Sequence, residues 1–154
     1  MNLVRPADAA DIPELASLMT EFYAEAGLVL ERAAAEATFR ALIDAPDRGQ
    51  VWLLESDHSS AGFVVLTVAF SMEYGGLRGF VDDFFVREAF RRRGLGAAAL
   101  TEVRRSCAAR GVRALLVETG PSNDGALRVY RSAGFVDTGH LLLAMPLAKP
   151  VHAV

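Results

Sequence analysis

The junction at residues 91–97 constrains the fold more than any other part of this chain. Residues 80–86 form an apolar run of strand character before it, and residues 97–110 have helical spacing after it. The junction reads Arg91-Arg92-Arg93-Gly94-Leu95-Gly96-Ala97, and its glycines let backbone N–H groups approach a ligand without obstruction by a Cβ atom. The helix that follows directs the positive end of its dipole at the same point. A strand, a glycine turn and a helix N-terminus in this order predict an anion site, most often for phosphate.

Hydrophobic periodicity and turn residues predict strands and helices along the whole chain. Strands are expected at 3–5, 50–55, 61–70, 80–86, 112–118, 135–136 and 140–147, and helices at about 12–27, 31–44, 95–110 and 123–133. The first helix should begin with a capping box formed by Asp11 and Glu14. The crossover through the third helix should make its two flanking strands parallel, and the apolar strand at 112–118 has the pattern of a strand buried on both faces. This order predicts a mixed α/β or α+β layer fold.

Composition restricts the domain organisation and the class of partner. We expect one domain over residues 1–147 and a loose tail at 148–154, because no linker or repeat divides the chain. Apolar residues make up 52% of the sequence, which excludes a disordered protein, and the net charge of −3 argues against a general nucleic-acid binder. No run is long enough to span a membrane, and the N-terminus lacks the apolar core of a signal peptide. One cysteine, Cys107, and histidines without metal-like spacing predict a cytoplasmic protein with no metal and no membrane partner.

Two familiar phosphate-binding motifs fit the glycine junction poorly. Gly94-x-Gly96-x-x-Ala99 matches a relaxed dinucleotide fingerprint, and Glu118 lies where a ribose-binding acid would be expected. A dinucleotide turn follows its buried strand at once, however, whereas residues 87–93 intervene here and include three arginines. A P-loop is excluded because no Lys-Ser or Lys-Thr pair follows the glycines. A longer entry loop that brings its arginines to a pyrophosphate fits better.

Two sequence blocks resemble the GNAT superfamily of N-acetyltransferases. Val81-Asp82-Asp83-Phe84-Phe85-Val86 followed by Arg91-x-x-Gly94-x-Gly96 resembles the acetyl-CoA signature of that family. Asn123-x-x-Ala126-x-x-x-Tyr130-x-x-x-Gly134-Phe135 resembles the second half of the family pattern. Within the family, the first block is most similar to the Glu-Asp-Phe-Phe-Val run of diamine N-acetyltransferases, with Asp82 in place of their Glu. The resemblance implies a mostly antiparallel central sheet with one splayed parallel strand pair and helices on both faces.

The resemblance also implies how acetyl-CoA would bind. The backbone N–H groups of residues 92–97 would hold its pyrophosphate, and the backbone of residues 84–86 would contact the pantetheine arm as an added strand would. Arg92 replaces a glycine often found in the family, which a backbone contact should tolerate if its φ angle is negative. The expected cofactor-binding residues are Phe84, Phe85, Val86, Arg91, Arg92, Arg93, Gly94, Leu95, Gly96, Ala97, Asn123 and Tyr130.

Tyr130 and two carboxylates are the catalytic candidates. A tyrosine hydroxyl, with a reference pKa of about 10, is protonated at neutral pH and can act as general acid toward a departing thiolate. Asp82 and Asp83 are adjacent on one strand and should therefore point to opposite faces, with Asp82 on the face of Phe84. Either could take a proton from the amine, directly or through water. Asp82 is favoured because it matches the position of the glutamate in diamine enzymes.

The sequence leaves the acceptor and the class of function open. Glu21 and Glu25 on the first helix would suit a cationic acceptor, although an exposed charged face explains them equally well. The main hypothesis is transfer of an acetyl group from acetyl-CoA to a primary amine of a small molecule or peptide. One alternative is an acyl-CoA-binding regulatory module without catalysis, and another is a toxin-like acetyltransferase of aminoacyl-tRNA, which the acidic pI disfavours. A homodimer is plausible for the family.

Overall fold

A computed structural model covers residues Met1–Val154 and has seven strands and four α-helices. The elements are β1 (Asn2–Pro6), α1 (Ile12–Glu25), β2 (Val29–Leu30), α2 (Arg32–Ile43), β3 (Gly49–Ser56), β4 (Ser59–Ser71), β5 (Gly76–Val86), α3 (Leu95–Ala109), β6 (Ala114–Val117), α4 (Asp124–Ser132) and β7 (His152–Ala153). None of the helices is long and apolar enough to cross a membrane.

Five of the strands form one central sheet in the order β1-β3-β4-β5-β6. Every neighbouring pair is antiparallel except β5 and β6, which are parallel as the crossover through α3 requires. The pairing of β5 with β6 begins at Arg78 and ends at Val81, although β5 continues to Val86. The predicted fold class is thereby confirmed, and the far end of β5 has no strand beside it on the β6 side.

Helices cover both faces of the sheet, and alternate residues of β4 separate the two cores. Phe63 and Val65 face α1 and α2, whereas Val64 and Leu66 face α3 and α4. Trp52 and Cys107 lie in the second core, in agreement with the packing role predicted for them. The first core contains Phe85, and the second contains Tyr130 with Phe84 packed against it, so the end of β5 contributes to both cores.

The beginnings of α1 and β5 differ from the sequence prediction. Asp11 is the N-cap residue of α1, as predicted, but its side chain makes no capping hydrogen bond there. The capping box lies one turn earlier, at a short 3-10 turn of residues 9–11, where the Asp8 side chain accepts from the Ala10 N–H at 2.8 Å and Asp11 accepts from the Asp8 N–H at 2.9 Å. The Asp11 carboxylate also accepts hydrogen bonds from both terminal guanidinium nitrogens of Arg5. Because both carboxylate oxygens are engaged in this way, Asp11 forms no capping box with Glu14. β5 starts at Gly76 rather than at residue 80, because the hairpin from β4 turns within residues 72–75.

The C-terminal region departs furthest from prediction. Residues 135–136 and 140–147 form no strand within the chain, and β6 is a half-buried edge strand rather than one buried on both faces. The tail expected to be loose is anchored instead. β7 pairs with β2, and the Val151 carbonyl accepts the Glu31 N–H at 2.7 Å. The folded unit therefore extends past residue 147 to the end of the chain.

Candidate functional site

The backbone of residues 92–97 has the features of an anion-binding turn. Arg92 and Gly94 both have left-handed φ angles, 60° and 83°, and left-handed residues are common in backbone turns whose N–H groups bind anions. None of the N–H groups of residues 92–97 donates to another group of the chain, whereas the N–H groups of Arg91 and Ala98 are both bonded. Since α3 starts directly after Gly94, its N-terminal dipole adds to the same positive potential. This segment is called the anion cradle below.

The two glycines of the cradle serve different purposes. Gly94 is required for its backbone conformation, because its φ is positive while a Cβ atom there would meet open space. Gly96 is required for packing, because a Cβ atom would lie 3.2 Å from a methyl carbon of Val129 and 3.7 Å from the ring of Phe84. Each glycine thus has a reason within the fold itself, and their role in letting a ligand approach stays a prediction.

Of the three arginines, only Arg92 has a side chain without a partner. Arg91 donates to the Val86 carbonyl at 2.7 Å and forms an ion pair with Glu25 at 2.6 Å. Arg93 lies 3.4 Å from Asp57 and over the ring of Phe90. Arg92 makes neither contact, and its φ is positive, so the negative φ under which Arg92 should replace the family's glycine without cost is not observed. A positive φ is strained for a residue with a Cβ atom. Strain of this kind is often concentrated at functional sites.

The acidic residues of α1 are already paired with arginines. Glu21 forms a two-point contact with Arg87 at 2.7 and 2.9 Å, and Glu25 holds Arg91. Arg87 also donates to the Ser60 carbonyl, so that it ties α1 to the end of the central sheet. These glutamates consequently link α1 to the sheet and to the cradle loop.

The free edge of β5 connects the cradle to the centre of the sheet. On one side, residues 84–86 pair with β4. On the other side they have no strand partner, because β6 leaves after its pairing with Val81. An extended ligand with amide groups could bind along this edge as an additional strand.

Tyr130 lies beside that edge, in the core beneath α3 and α4. Its ring packs between Phe84 at 6.2 Å and Phe135 at 5.6 Å, and the residue is 7% exposed. Its hydroxyl has no hydrogen-bond partner within the chain and is not sealed from solvent. Burial raises the pKa of Tyr130 to about 12. Two turns earlier, Asn123 caps α4: its side-chain oxygen accepts a hydrogen bond from the Ala126 N–H at 3.2 Å.

A β-bulge places both aspartates on the same side of the sheet. Val65 pairs with Asp83 and Leu66 pairs with Val81, which leaves Asp82 as the extra residue on β5. Asp82 and Asp83 then line one cavity of about 330 Å³ on the side of α1 and α2. The expectation of opposite faces, with Asp82 beside Phe84, is wrong because a regular alternation cannot continue through a bulge.

Tyr23 of α1 also lines this acidic cavity, and the sequence analysis does not identify it as a site residue. Its hydroxyl donates to Asp83 Oδ2 at 3.2 Å across 60 positions of sequence. Burial and, second, the charge of Asp82 raise the pKa of Asp83 to about 7, although the hydrogen bond from Tyr23 opposes the rise. Burial also raises the pKa of Asp82, and burial together with both carboxylates raises the pKa of Tyr23. The remaining polar lining residues are Thr38, Arg48 and Thr67.

The acidic cavity and Tyr130 lie on opposite faces of β5 and approach the same stretch of it. Asp83 belongs to the α1 and α2 side, and Phe84, the next residue, contacts Tyr130 on the other. This stretch is where β6 leaves β5. A group placed in the gap between the two strands would be accessible to the Tyr130 hydroxyl on one side and, on the other, to the Asp83 carboxyl group, whose pKa burial raises to about 7.

Comparison with known proteins places the site in context. Residues 13–135 match the family described as the acetyltransferase (GNAT) family, and no curated protein matches the sequence. The chain is 53% identical to the integron cassette protein HFX_CASS3 from the mobile metagenome of Cole Harbour Salt Marsh, with a TM-score of 0.88, over 96% of this chain and 92% of that one.

Two more distant structures share the fold. The aminoglycoside N-acetyltransferase AAC(6')-Iy, in complex with the bisubstrate analogue CoA-S-monomethyl-acetylneamine, is 18% identical with a TM-score of 0.82, covering 96% of this chain and 99% of that one. A predicted acetyltransferase from Clostridium acetobutylicum, solved with acetyl-CoA, is 17% identical with a TM-score of 0.79, covering 94% and 96%.

Proposed function

The chain belongs to the acetyltransferase (GNAT) family, and from that premise we propose that it transfers the acetyl group of acetyl-CoA to a primary amine of a small molecule or peptide. One observation carries the proposal: the free edge of β5 runs from the anion cradle, with its unbonded N–H groups, to the residues between Tyr130 and the acidic cavity. A ligand with a pyrophosphate at one end and amides along its length fits this edge. The distant structures solved with CoA or acetyl-CoA support that choice of ligand.

Bound acetyl-CoA would supply the acetyl group, and the chain would hold it by both ends. The N–H groups of the cradle would bind the pyrophosphate, helped by the free guanidinium of Arg92 and the dipole of α3. The edge of residues 84–86 would pair with the amides of the arm. Arg91, already bonded to the Val86 carbonyl, would fix the loop rather than contact the ligand.

Asp83 is the base that we propose, in place of the Asp82 favoured by sequence alone. A primary ammonium with a pKa of about 10 must lose a proton before it can attack. Transfer to a carboxylate of ordinary pKa 3.8 would cost about 9 kcal/mol, at about 1.4 kcal/mol per pKa unit. Transfer to Asp83, with a pKa of about 7, would cost about 4 kcal/mol. The nearby charge of Asp82 would attract the cationic acceptor into the cavity.

Tyr130 is the general acid in the same step. The amine nitrogen attacks the thioester carbonyl, the C–N bond forms as the C–S bond breaks, and Tyr130 donates its proton to the sulfur. A pKa of about 12 keeps the hydroxyl protonated at every physiological pH, which this role needs. The attacking nitrogen loses its second proton to solvent, from which Tyr130 regains the proton that it gave to the sulfur, and Asp83 releases the proton taken from the ammonium group. The net products are an amide, the free thiol of CoA and one proton.

The deciding experiment is a CoA-release screen of the full chain with acetyl-CoA and four acceptor classes: polyamines, amino acids, aminoglycosides and peptide N-termini. We expect release that depends on one class and gives an acetylated product by mass spectrometry. Binding of acetyl-CoA without release by any amine would instead identify an acyl-CoA-binding module. Release only with aminoacyl-tRNA, together with tRNA binding at moderate salt, would identify the third class.

A further inference from the structure

Arg48 is the only basic residue that lines the acidic cavity, and it lies apart from the two aspartates. It directly precedes β3, whereas Asp82 and Asp83 belong to β5, and β4 lies between these two strands. Along β4, Asp83 pairs with Val65, and the Arg48 carbonyl accepts the Val68 N–H at 2.8 Å. At about 3.4 Å per residue, the two positions are offset by roughly 10 Å along β4. The cavity therefore has two carboxyl groups toward one end and an arginine at the other.

The turn that carries Arg48 is held in place by the rest of the chain. The Arg48 N–H donates to the Ala45 carbonyl at 2.9 Å, and its own carbonyl is engaged by β4. Arg110, the residue after α3, donates to the carbonyls of Pro46 and Gly49, which flank Arg48 in the same turn. The Arg48 side chain, in contrast, is exposed and forms no ion pair within the chain. An unpaired charge on a rigid support is suited to hold one group of a ligand.

Between its charged ends the acidic cavity is mostly apolar and small. Met19, Phe39 and Val65 are buried residues of the first core that line it, and Ala35 and Leu42 line it beside them. Its volume of about 330 Å³ is at the lower end of the ~300–1,000 Å³ that is typical of ligand pockets. A small ligand with an apolar body and a charge near each end fits this lining better than a polycationic or multi-ring molecule.

The two ends of the cavity discriminate between classes of amine. A polyamine or an aminoglycoside with one ammonium group at the aspartates would bring a further ammonium group toward Arg48, and like-charge repulsion disfavours that arrangement. An amine that also carries a carboxylate is attracted at both ends, because a guanidinium group binds a carboxylate through two parallel hydrogen bonds. The long side chain of Arg48 can extend over the offset between the ends, so that a molecule of amino-acid size contacts both.

We propose that the acceptor is a free amino acid with an apolar side chain, held by its carboxylate at Arg48 and by its ammonium group at Asp82 and Asp83. Its side chain would lie against the apolar lining of the cavity. The α-amino nitrogen would then attack the thioester as described above, and the products would be an N-acetyl amino acid, the free thiol of CoA and one proton. This choice of acceptor rests on the proposed function and narrows it.

The first test compares acceptors that differ only in the anionic group, in the CoA-release assay of the full chain. Leucine, methionine and phenylalanine are each assayed beside their own amides, with glutamate and spermidine in the same panel. An amide keeps the amine and the side chain but lacks the carboxylate, and its amine is less basic and so easier to deprotonate. Chemistry alone would therefore favour the amides. Binding of the carboxylate by Arg48 should instead make kcat/KM about 10- to 100-fold higher for each amino acid than for its amide.

The second test removes the charge from the chain instead of the ligand. Arg48→Gln should raise KM of the amino acid by about 10- to 100-fold, while KM of the matching amide and KM of acetyl-CoA stay unchanged. Arg48→Lys should recover part of the loss, because it restores the charge without the two-point geometry. Arg40→Gln is the matched control: it makes the same change at an exposed arginine of α2 that does not line the cavity. Its KM values should follow the wild type.

The outcomes separate this choice of acceptor from the proposed function itself. Equal use of an amino acid and its amide, a preference for spermidine or glutamate, or an unchanged KM in Arg48→Gln would overturn the amino-acid site and leave acetyl transfer standing. Release of CoA with no amine at all would instead contradict the proposed function. In that case, calorimetric titration of leucine, methionine and phenylalanine into the chain with CoA present decides the site alone. Binding that is lost in Arg48→Gln supports it, and the absence of binding to the wild type refutes it.

Discussion

Replacing Asp83 by Asn should stabilise the protein, by an amount that grows with pH. The pKa of Asp83 is raised on folding, from 3.8 to about 7, chiefly by burial. Between these two values the folded chain retains a proton that the unfolded chain has released. Stability conferred by the carboxyl group is therefore full at low pH and is lost as the pH rises toward 7. Asn cannot ionise and still accepts the hydrogen bond from Tyr23, so the variant should escape this loss.

The size of the effect follows from the same pKa. A rise of about 3 units, at about 1.4 kcal/mol per unit, amounts to about 4 kcal/mol of destabilisation above pH 7. We expect at least half of it to be measured, because the cavity lined by Asp83 has room for water that partly hydrates the charge. Asp83→Asn should thus gain about 2 to about 4 kcal/mol over the wild type above pH 7, and almost nothing at about pH 4.

Urea denaturation at intervals between about pH 4 and about pH 8 measures the difference directly. Asp47→Asn is the matched control, since it makes the same chemical change at an exposed carboxylate without a hydrogen bond. Its stability should follow the wild type at every pH. Free energies of unfolding that run parallel for Asp83→Asn and the wild type over the whole range would refute the reasoning. In kinetics, the rise of kcat/KM with an apparent pKa of about 7 should disappear in Asp83→Asn.

The remaining predictions concern the neighbours of this group and the cradle. Tyr23→Phe removes the hydrogen bond that lowers the pKa of Asp83, so the rise of kcat/KM with pH should move to higher pH. An unchanged pH profile would mean that Tyr23 does not affect the titration of the base. Tyr130→Phe should lower kcat by about 100-fold while the Kd of acetyl-CoA by calorimetry is unchanged, and a wild-type kcat would exclude it as the acid. Arg92→Gly should raise stability by about 1 kcal/mol in thermal unfolding by relieving its positive φ, yet weaken acetyl-CoA binding several-fold through the lost charge. If the variant and the wild type bound acetyl-CoA with equal affinity, the charge of Arg92 would have no part in binding the cofactor.

The features of the fold that were predicted correctly are those marked by residues close together in the sequence. The helices α1, α2 and α3 lie within a few residues of their predicted bounds, because each has an apolar stripe and a stop residue. Gly27 and Gly111 have the positive φ angles expected just beyond a helix. The cradle was predicted for the same reason: a strand, a glycine turn and a helix N-terminus are adjacent in sequence.

Features that depend on pairing between distant segments could not be read in this way. The bulge at Asp82 arises from the register between β4 and β5, and nothing in the sequence of β5 marks it. The contact of Tyr23 with Asp83 joins segments 60 positions apart. For residues 140–147 the sequence indicates strand character, but a strand needs an edge to pair with, and none within the chain is used.

The bulge in β5 lies between the acidic cavity and the free edge of the same strand. A bulge bends its strand and increases the local twist. The pairing of β5 with β6 stops at Val81, the residue directly before the extra Asp82. The irregularity that brings a second carboxylate into the acidic cavity therefore lies directly beside the last residue pair of β5 with β6. It follows that the free edge for an extended ligand and the raised pKa of Asp83, to which the charge of Asp82 contributes, are not independent features. A regular strand of the same composition would direct only one of the two aspartates into the cavity.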